Sequence, residues 1–158
     1  MADFHQHGNI TTLHALYEAF DRDIYLEELE RKLEDHARYR NITLLLPCLY
    51  SELNNRDVLD PIVDDISKVK YIHTVVIALG GANEEEFQEA LRYFGRLKSA
   101  ERDVKVIWID GPGIQEVLES IRQKEIPTGE VGKGQSVWIA LGYILSNEEA
   151  DAIALHDC

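Results

Sequence analysis

Several short stretches of this chain carry residue types that could do chemistry, and most of them stand where a run of apolar residues stops. The sharpest is Gly129-Glu-Val-Gly132-Lys133-Gly134-Gln-Ser, where glycines flank a lysine just ahead of a helix start. Backbone N–H groups at a helix N-terminus and one ammonium can together hold a phosphate. It is not a Walker A loop, because that spacing needs Ser or Thr after the lysine and Lys133 is followed by Gly134. Gly80-Gly81 lets backbone approach a ligand closely, without forming a G-x-G-x-x-G fingerprint. Pro47-Cys-Leu49-Tyr-Ser-Glu52 offers groups that could seat a flat ring, and Glu52 could accept a hydrogen bond from a base or a hydroxyl. The alternative for that stretch is an ordinary turn with Ser51 capping a helix. Asp110-Gly-Pro-Gly113 is a tight turn in which Asp110 either faces a ligand or caps the turn itself. Asp157, in the terminal His156-Asp157-Cys158, could coordinate a divalent metal or a sugar hydroxyl, although one carboxylate needs phosphates and a second carboxylate beside it. His5 and His7 could ligate a metal but have no third ligand nearby.

The elements that must position these residues follow from hydrophobic spacing. Thr11 or Thr12 caps a first helix carrying Leu13, Leu16, Tyr17 and Phe20, and Asp21 or Asp23 starts a second with Tyr25, Leu26, Leu29 and Leu33. The unalternating run 42–47 reads as a strand buried on both faces, the mark of a parallel sheet, 74–79 as a second buried strand, and 104–109 and 152–155 as a third and a fourth strand. Pro47 is expected to end the first of them. Between them, the sequence predicts a helix from Asp60-Pro61 to Lys68, with Asp60 as cap and Pro61 as first residue. A second is capped by Asn83, with Glu84, Glu85 and Glu86 in its first turn. Others run from about 114 to 124 and from 135 to 145, separated by a Pro/Gly loop. This alternation specifies right-handed βαβ crossovers and an α/β fold with a parallel, doubly wound, Rossmann-like sheet, preceded by two N-terminal helices. In such sheets ligands bind beyond the carboxyl ends of the strands, which is where the candidate residues stand.

Composition narrows the functions. The chain has 158 residues, 16 Lys and Arg against 29 Asp and Glu, and a net charge of −13. That balance excludes a nucleic-acid backbone and an anionic membrane surface as partners. No apolar run reaches the ~18 residues that span a bilayer. The N-terminus lacks the basic and apolar regions of a secretory signal. Two cysteines, in no Cys-x-x-Cys pair, suit a reducing cytoplasm.

In their order and their strand-end placement, these stretches resemble the nucleotide-binding half of GT-A glycosyltransferases, such as the retaining glucosyl-3-phosphoglycerate and mannosyl-3-phosphoglycerate synthases. The resemblance runs from Thr11 to Cys158. It rests on Leu46-Pro-Cys-Leu-Tyr-Ser-Glu52, Val75-Val-Ile-Ala-Leu-Gly-Gly-Ala82, Asp110-Gly-Pro112, Gly132-Lys-Gly-Gln-Ser-Val-Trp138 and Ala152-Ile-Ala-Leu-His-Asp-Cys158. It implies a UDP-glucose donor, with Mg²⁺ or Mn²⁺ bridging the diphosphate, a small phosphorylated acceptor such as 3-phosphoglycerate, and a homodimer. By the resemblance, Pro47, Leu49 and Glu52 hold uracil and ribose, and Gly80 and Gly81 let the nucleotide lie close. The resemblance puts Asp110 in the same nucleotide site, implies that Lys133 neutralises diphosphate charge, and makes Asp157 the first residue of a D-x-D motif, near the ribose and the metal.

Two departures from the family pattern stand out. Ala78 and Leu79 occupy the place of an acidic pair that many GT-A enzymes carry, which leaves UDP against GDP open. The sequence also stops at Asp157-Cys158, one residue before the second Asp of D-x-D. The expected organisation is a helical extension over 1–40 and a nucleotide-sugar-binding subdomain over 41–158, cut at that motif. The competing reading is a stand-alone nucleotide-binding or protein-interaction module without catalysis. The 158-residue chain by itself is expected to transfer no glucose from UDP-glucose to 3-phosphoglycerate. A radiolabel transfer assay on the purified chain checks this.

Overall fold

The computed structural model describes residues 22–147 and 150–157. The helix expected over Thr11–Phe20, the His5/His7 pair and Cys158 lie outside the described residues. Helix α1 spans Arg22–Ala37, β1 Ile42–Leu49, α2 Arg56–Lys68, β2 Thr74–Gly80 and α3 Glu84–Phe94. Then come β3 over Asp103–Trp108, α4 over Pro112–Arg122, α5 over Lys133–Ser146 and β4 over Ala152–Leu155, with short 3₁₀ turns at Tyr50–Asn54 and Gly95–Leu97.

The four strands form one parallel sheet in the order β3-β2-β1-β4. The chain steps outward from β1 to β2 to β3, then crosses back past β1 to add β4. Alternation in each strand divides the core. Leu44, Leu46, Cys48, Val75, Ile77 and Leu79 face one layer, where α2 contributes Leu59, Val63 and Ile66 and α3 contributes Ala90 and Phe94. Leu45, Val76, Ala78, Ile107 and Ile109 face the other, against Ala140 and Ile144 of α5. Helices on both faces make the sheet doubly wound, as the alternation requires.

Two expectations about proline are corrected. Pro47 does not end β1: it lies within the strand, opposite Ala78 of β2, and pairing runs on to Leu49. A proline lacks an N–H and is tolerated where no strand needs that donor. Leu45, on the same side of the strand as Pro47, accepts from His156 N–H at 3.1 Å, and pairing with β4 stops at Leu45. Pro47 therefore faces a side where the ladder has already ended. Pro61, expected at the first turn of a helix, sits inside α2, which begins at Arg56. Asp60 does not cap; it accepts from Tyr93 at 2.7 Å and from Arg96 at 2.8 Å. Burial of Leu59, Val63 and Ile66 on the sheet carries α2 through the proline, since tertiary packing overrides local propensity. Asn83 behaves as expected: its side chain accepts from Glu86 N–H at 3.0 Å, and the Glu86 carboxylate accepts from Asn83 N–H at 2.7 Å.

The β2 and β3 ends are locked by Trp108. Its indole donates to Ala82 C=O at 2.8 Å and its ring stacks on Phe87 with centroids 5.0 Å apart. A Cβ at Gly111 would lie 2.7 Å from two ring carbons of that tryptophan. The ring is held on two sides and cannot swing away cheaply. Gly111→Ala is therefore expected to cost about 1–3 kcal/mol. Gly113, whose Cβ would meet nothing within 4 Å, is the control. Denaturant midpoints of Gly111→Ala and Gly113→Ala check this, and equal midpoints would refute it.

Candidate functional site

At the carboxyl ends of the strands the side chains on the face under α5 become mostly small, with Leu49 and Ile109 at the sides. By alternation Pro47, Ala78 and Gly80 lie on that face, and they leave a space between the sheet and the start of α5. The space is about 190 Å³, smaller than the ~300–1,000 Å³ of clefts that enclose a whole drug-sized ligand, and it opens to solvent at the end of the sheet. It lies where the strand order reverses, between β1 and β4, the position at which doubly wound sheets bind ligands.

All eight residues expected to hold a nucleotide line this one pocket: Pro47, Leu49, Glu52, Gly80, Gly81, Asp110, Lys133 and Asp157. Their detailed roles differ from the sequence reading. Oε2 of Glu52 accepts from Leu49 N–H at 2.9 Å, so one oxygen ties the turn and the other is left to the pocket. Glu52, the third residue of that turn, ties it by reaching back to Leu49 at the N-cap, a task the sequence reading gives to Ser51. Behind it, Tyr50 donates to Glu89 at 2.9 Å and Arg56 donates to the other Glu89 oxygen at 2.9 Å. The hydrogen bond to Glu89 is the main reason the Tyr50 phenol titrates above its ordinary range. Asp110 caps no local turn: Oδ2 accepts from Gly81 N–H at 2.6 Å and Ala82 N–H at 3.4 Å.

Lys133 proves to be the first residue of α5 rather than part of the preceding loop. Gly132 caps the helix at φ +156° and ψ −174°, a conformation open essentially to glycine. The helix ladder opens with Ser136 N–H donating to Gly132 C=O, at 3.1 Å. The N–H groups of Lys133, Gly134 and Gln135 stand ahead of it and, as in any first turn, point out of the helix toward the pocket end. The ammonium of Lys133 pairs with the carboxylate of Asp157 across the pocket mouth.

Sequence reasoning did not single out Gln135 and Ser136, which are buried and line the pocket. Gln135 donates to Thr128 C=O at 3.0 Å and Gly129 C=O at 3.3 Å, and Ser136 donates to Gly132 C=O at 3.2 Å. Both brace the loop that presents Lys133. A polar pair at the start of an otherwise apolar helix was the available signal.

Among the described residues no group of three or more His, Cys, Asp or Glu could hold a metal. Asp157 supplies a single carboxylate, so a divalent ion held there would take its other ligands from phosphate oxygens, water and a second carboxylate. No described helix is long and apolar enough to cross a membrane.

Comparison with known proteins finds relatives along the whole chain. The chain is 42% identical over 158 residues to a glucosyl-3-phosphoglycerate synthase of Persephonella marina. Along its whole length, the chain resembles glucosyl-3-phosphoglycerate synthase. A second protein of that name, from Methanococcoides burtonii, is 36% identical over 156 residues. The alignments cover 100% and 98% of this chain but 37% and 35% of the relatives, so the chain spans little more than a third of their length. A crystal structure of the Mycobacterium tuberculosis glucosyl-3-phosphoglycerate synthase with Mn²⁺, UDP and glucosyl-3-phosphoglycerate aligns with 81% of this chain and 37% of its own. The TM-score is 0.46 and the identity 18%. No protein-family model matches the chain.

The Lys133–Asp157 pair leaves Lys133 52% and Asp157 70% exposed, and a pair so wet is worth at most about 1 kcal/mol. Any phosphate reaching the ammonium must displace Asp157. Asp157→Asn is therefore expected to tighten binding of inorganic pyrophosphate, in EDTA, by up to about fivefold. Calorimetric titration measures this; weaker binding by the variant would contradict the competition.

Proposed function

We propose that this chain is the donor-binding part of a retaining glycosyltransferase of the glucosyl-3-phosphoglycerate synthase kind. Its pocket takes the UDP of UDP-glucose, and the hexose passes to a small phosphorylated acid such as 3-phosphoglycerate. The observation that carries the reading is the convergence of eight residues, from the ends of all four strands and the start of α5, on one pocket. Similarity to glucosyl-3-phosphoglycerate synthases along the whole chain supports it.

The roles follow from position and charge. Pro47 and Leu49 form the apolar wall on which a pyrimidine can lie, and the Glu52 oxygen not bound to Leu49 accepts from a base or ribose donor. Gly80 and Gly81 keep the floor low. Lys133 and the first N–H groups of α5 receive the diphosphate, and the ammonium stabilises the charge that grows on UDP as it leaves. Asp157, released from Lys133 when phosphate takes its place, is then available to Mg²⁺ or Mn²⁺. That ion supplies further neutralisation of the diphosphate when bound. Retention requires acceptor and departing diphosphate on one face of the sugar, and this chain supplies the diphosphate side. In this reading residues 41–158 are the nucleotide-sugar unit, and the protein works in the cytoplasm as a homodimer.

The test is calorimetric titration of UDP with Mn²⁺ into the chain and into Lys133→Ala. Loss of a charge-assisted contact worth about 1.5–3 kcal/mol predicts at least tenfold weaker binding in the variant. A competing titration with GDP examines the base, and UDP is expected to bind more tightly. Equal affinity of parent and Lys133→Ala, or no binding by the parent at millimolar UDP, would overturn the proposal.

A further inference from the structure

Asp110 stands immediately beyond β3, yet its carboxylate acts on the end of β2. Oδ2 accepts from the N–H of Gly81 at 2.6 Å and from that of Ala82 at 3.4 Å. Gly81 is in the left-handed region, at φ +68°, so its peptide is turned to present that N–H. From the same strand end, Trp108 donates to Ala82 C=O at 2.8 Å, and Ile109 N–H donates to Leu79 C=O at 2.9 Å. The turn after β2 is thus gripped from β3 through donors and an acceptor at once. Gly80 and Gly81 form the floor of the pocket, and Asp110 itself lines it.

We propose that Asp110 is a positioning residue for the nucleotide: it clamps the Gly81-Ala82 backbone and removes two adjacent N–H groups from use as an anion site. Two consecutive peptide N–H groups beside a left-handed glycine form the kind of concavity that binds anions. With Asp110 in place that concavity is filled by a carboxylate. Phosphate is repelled from the β2–β3 side and directed to the α5 end, where Lys133 and the free first-turn N–H groups lie. The nucleoside end of the ligand then falls on the side of Glu52 and Gly81. The pocket therefore has a polarity, and Asp110 sets it. This inference rests on the nucleotide reading above.

The two consequences have opposite signs, which separates positioning from mere stability. In Asp110→Ala the floor loosens and two N–H groups become free. UDP, which needs the polarity, is expected to bind about tenfold more weakly. Inorganic pyrophosphate, which has no nucleoside end, is expected to bind as well as in the parent or better. Asp110→Asn, whose amide oxygen can still accept from Gly81, is expected to recover UDP affinity to within about threefold of the parent. The Gly81 amide is a direct reporter, protected from hydrogen exchange in the parent and in Asp110→Asn and exchanging faster in Asp110→Ala. Parallel loss of UDP and pyrophosphate in Asp110→Ala, unchanged UDP binding, or no recovery in Asp110→Asn would overturn the inference. If Lys133→Ala weakens UDP as expected while Asp110→Ala does not, the inference fails and the nucleotide reading stands. If the parent binds neither UDP nor pyrophosphate, both fall.

Discussion

Parallel pairing is the constraint on which everything else depends. Because all four strands run the same way, all four carboxyl ends reach one edge of the sheet, and residues far apart in sequence meet there. The order β3-β2-β1-β4 adds the second condition. The chain leaves β1 toward β2 and later returns on its other side, so the connections diverge over β1 and leave a crevice. Small residues keep the crevice open. Replacing Pro47, Ala78 and Gly80 by large apolar side chains would extend the α5-side core of Leu45, Val76 and Ile107 into it. A well-packed interior has no spare volume, so a space at this place reflects the residues chosen for it.

Charge in the crevice is arranged against the grain of the molecule. The chain carries a net charge of −13, and an anionic ligand would find most of its surface repellent. Inside the crevice the carboxylates of Glu52 and Asp110 are engaged by backbone N–H groups, and Asp157 is paired with Lys133. The start of α5 contributes the positive end of a helix dipole beside that ammonium. The local field is thereby separated from the global one, and the resting ion pair is weak enough to yield to a diphosphate.

Much of this was legible in sequence. Unalternating apolar runs located all four strands to within two residues at either end, and Asn83 with Glu86 marked a helix start that the structure reproduces. The pocket-lining residues could be found because a parallel sheet makes the ends of strands the place to look. What could not be read was pairing over distance. Asp110 looks like a turn residue, since nothing local reveals that its partners are Gly81 and Ala82. Asp60 looks like a helix cap for the same reason, its partners Tyr93 and Arg96 being a whole element away. Pro47 and Pro61 misled because proline is read as a local breaker. In a strand whose ladder has already ended on one side, or a helix held by three buried side chains, the missing N–H is tolerated.

The most direct measurement is a map of backbone amide shifts in ¹⁵N-labelled protein as UDP and Mg²⁺ are added. The account predicts perturbations at Leu49–Glu52, Gly80–Ala82, Asp110, Lys133–Ser136 and Asp157, five separate segments that share one crevice. Perturbations confined to the outer faces of α4 and α5, or none at saturating UDP, would contradict it.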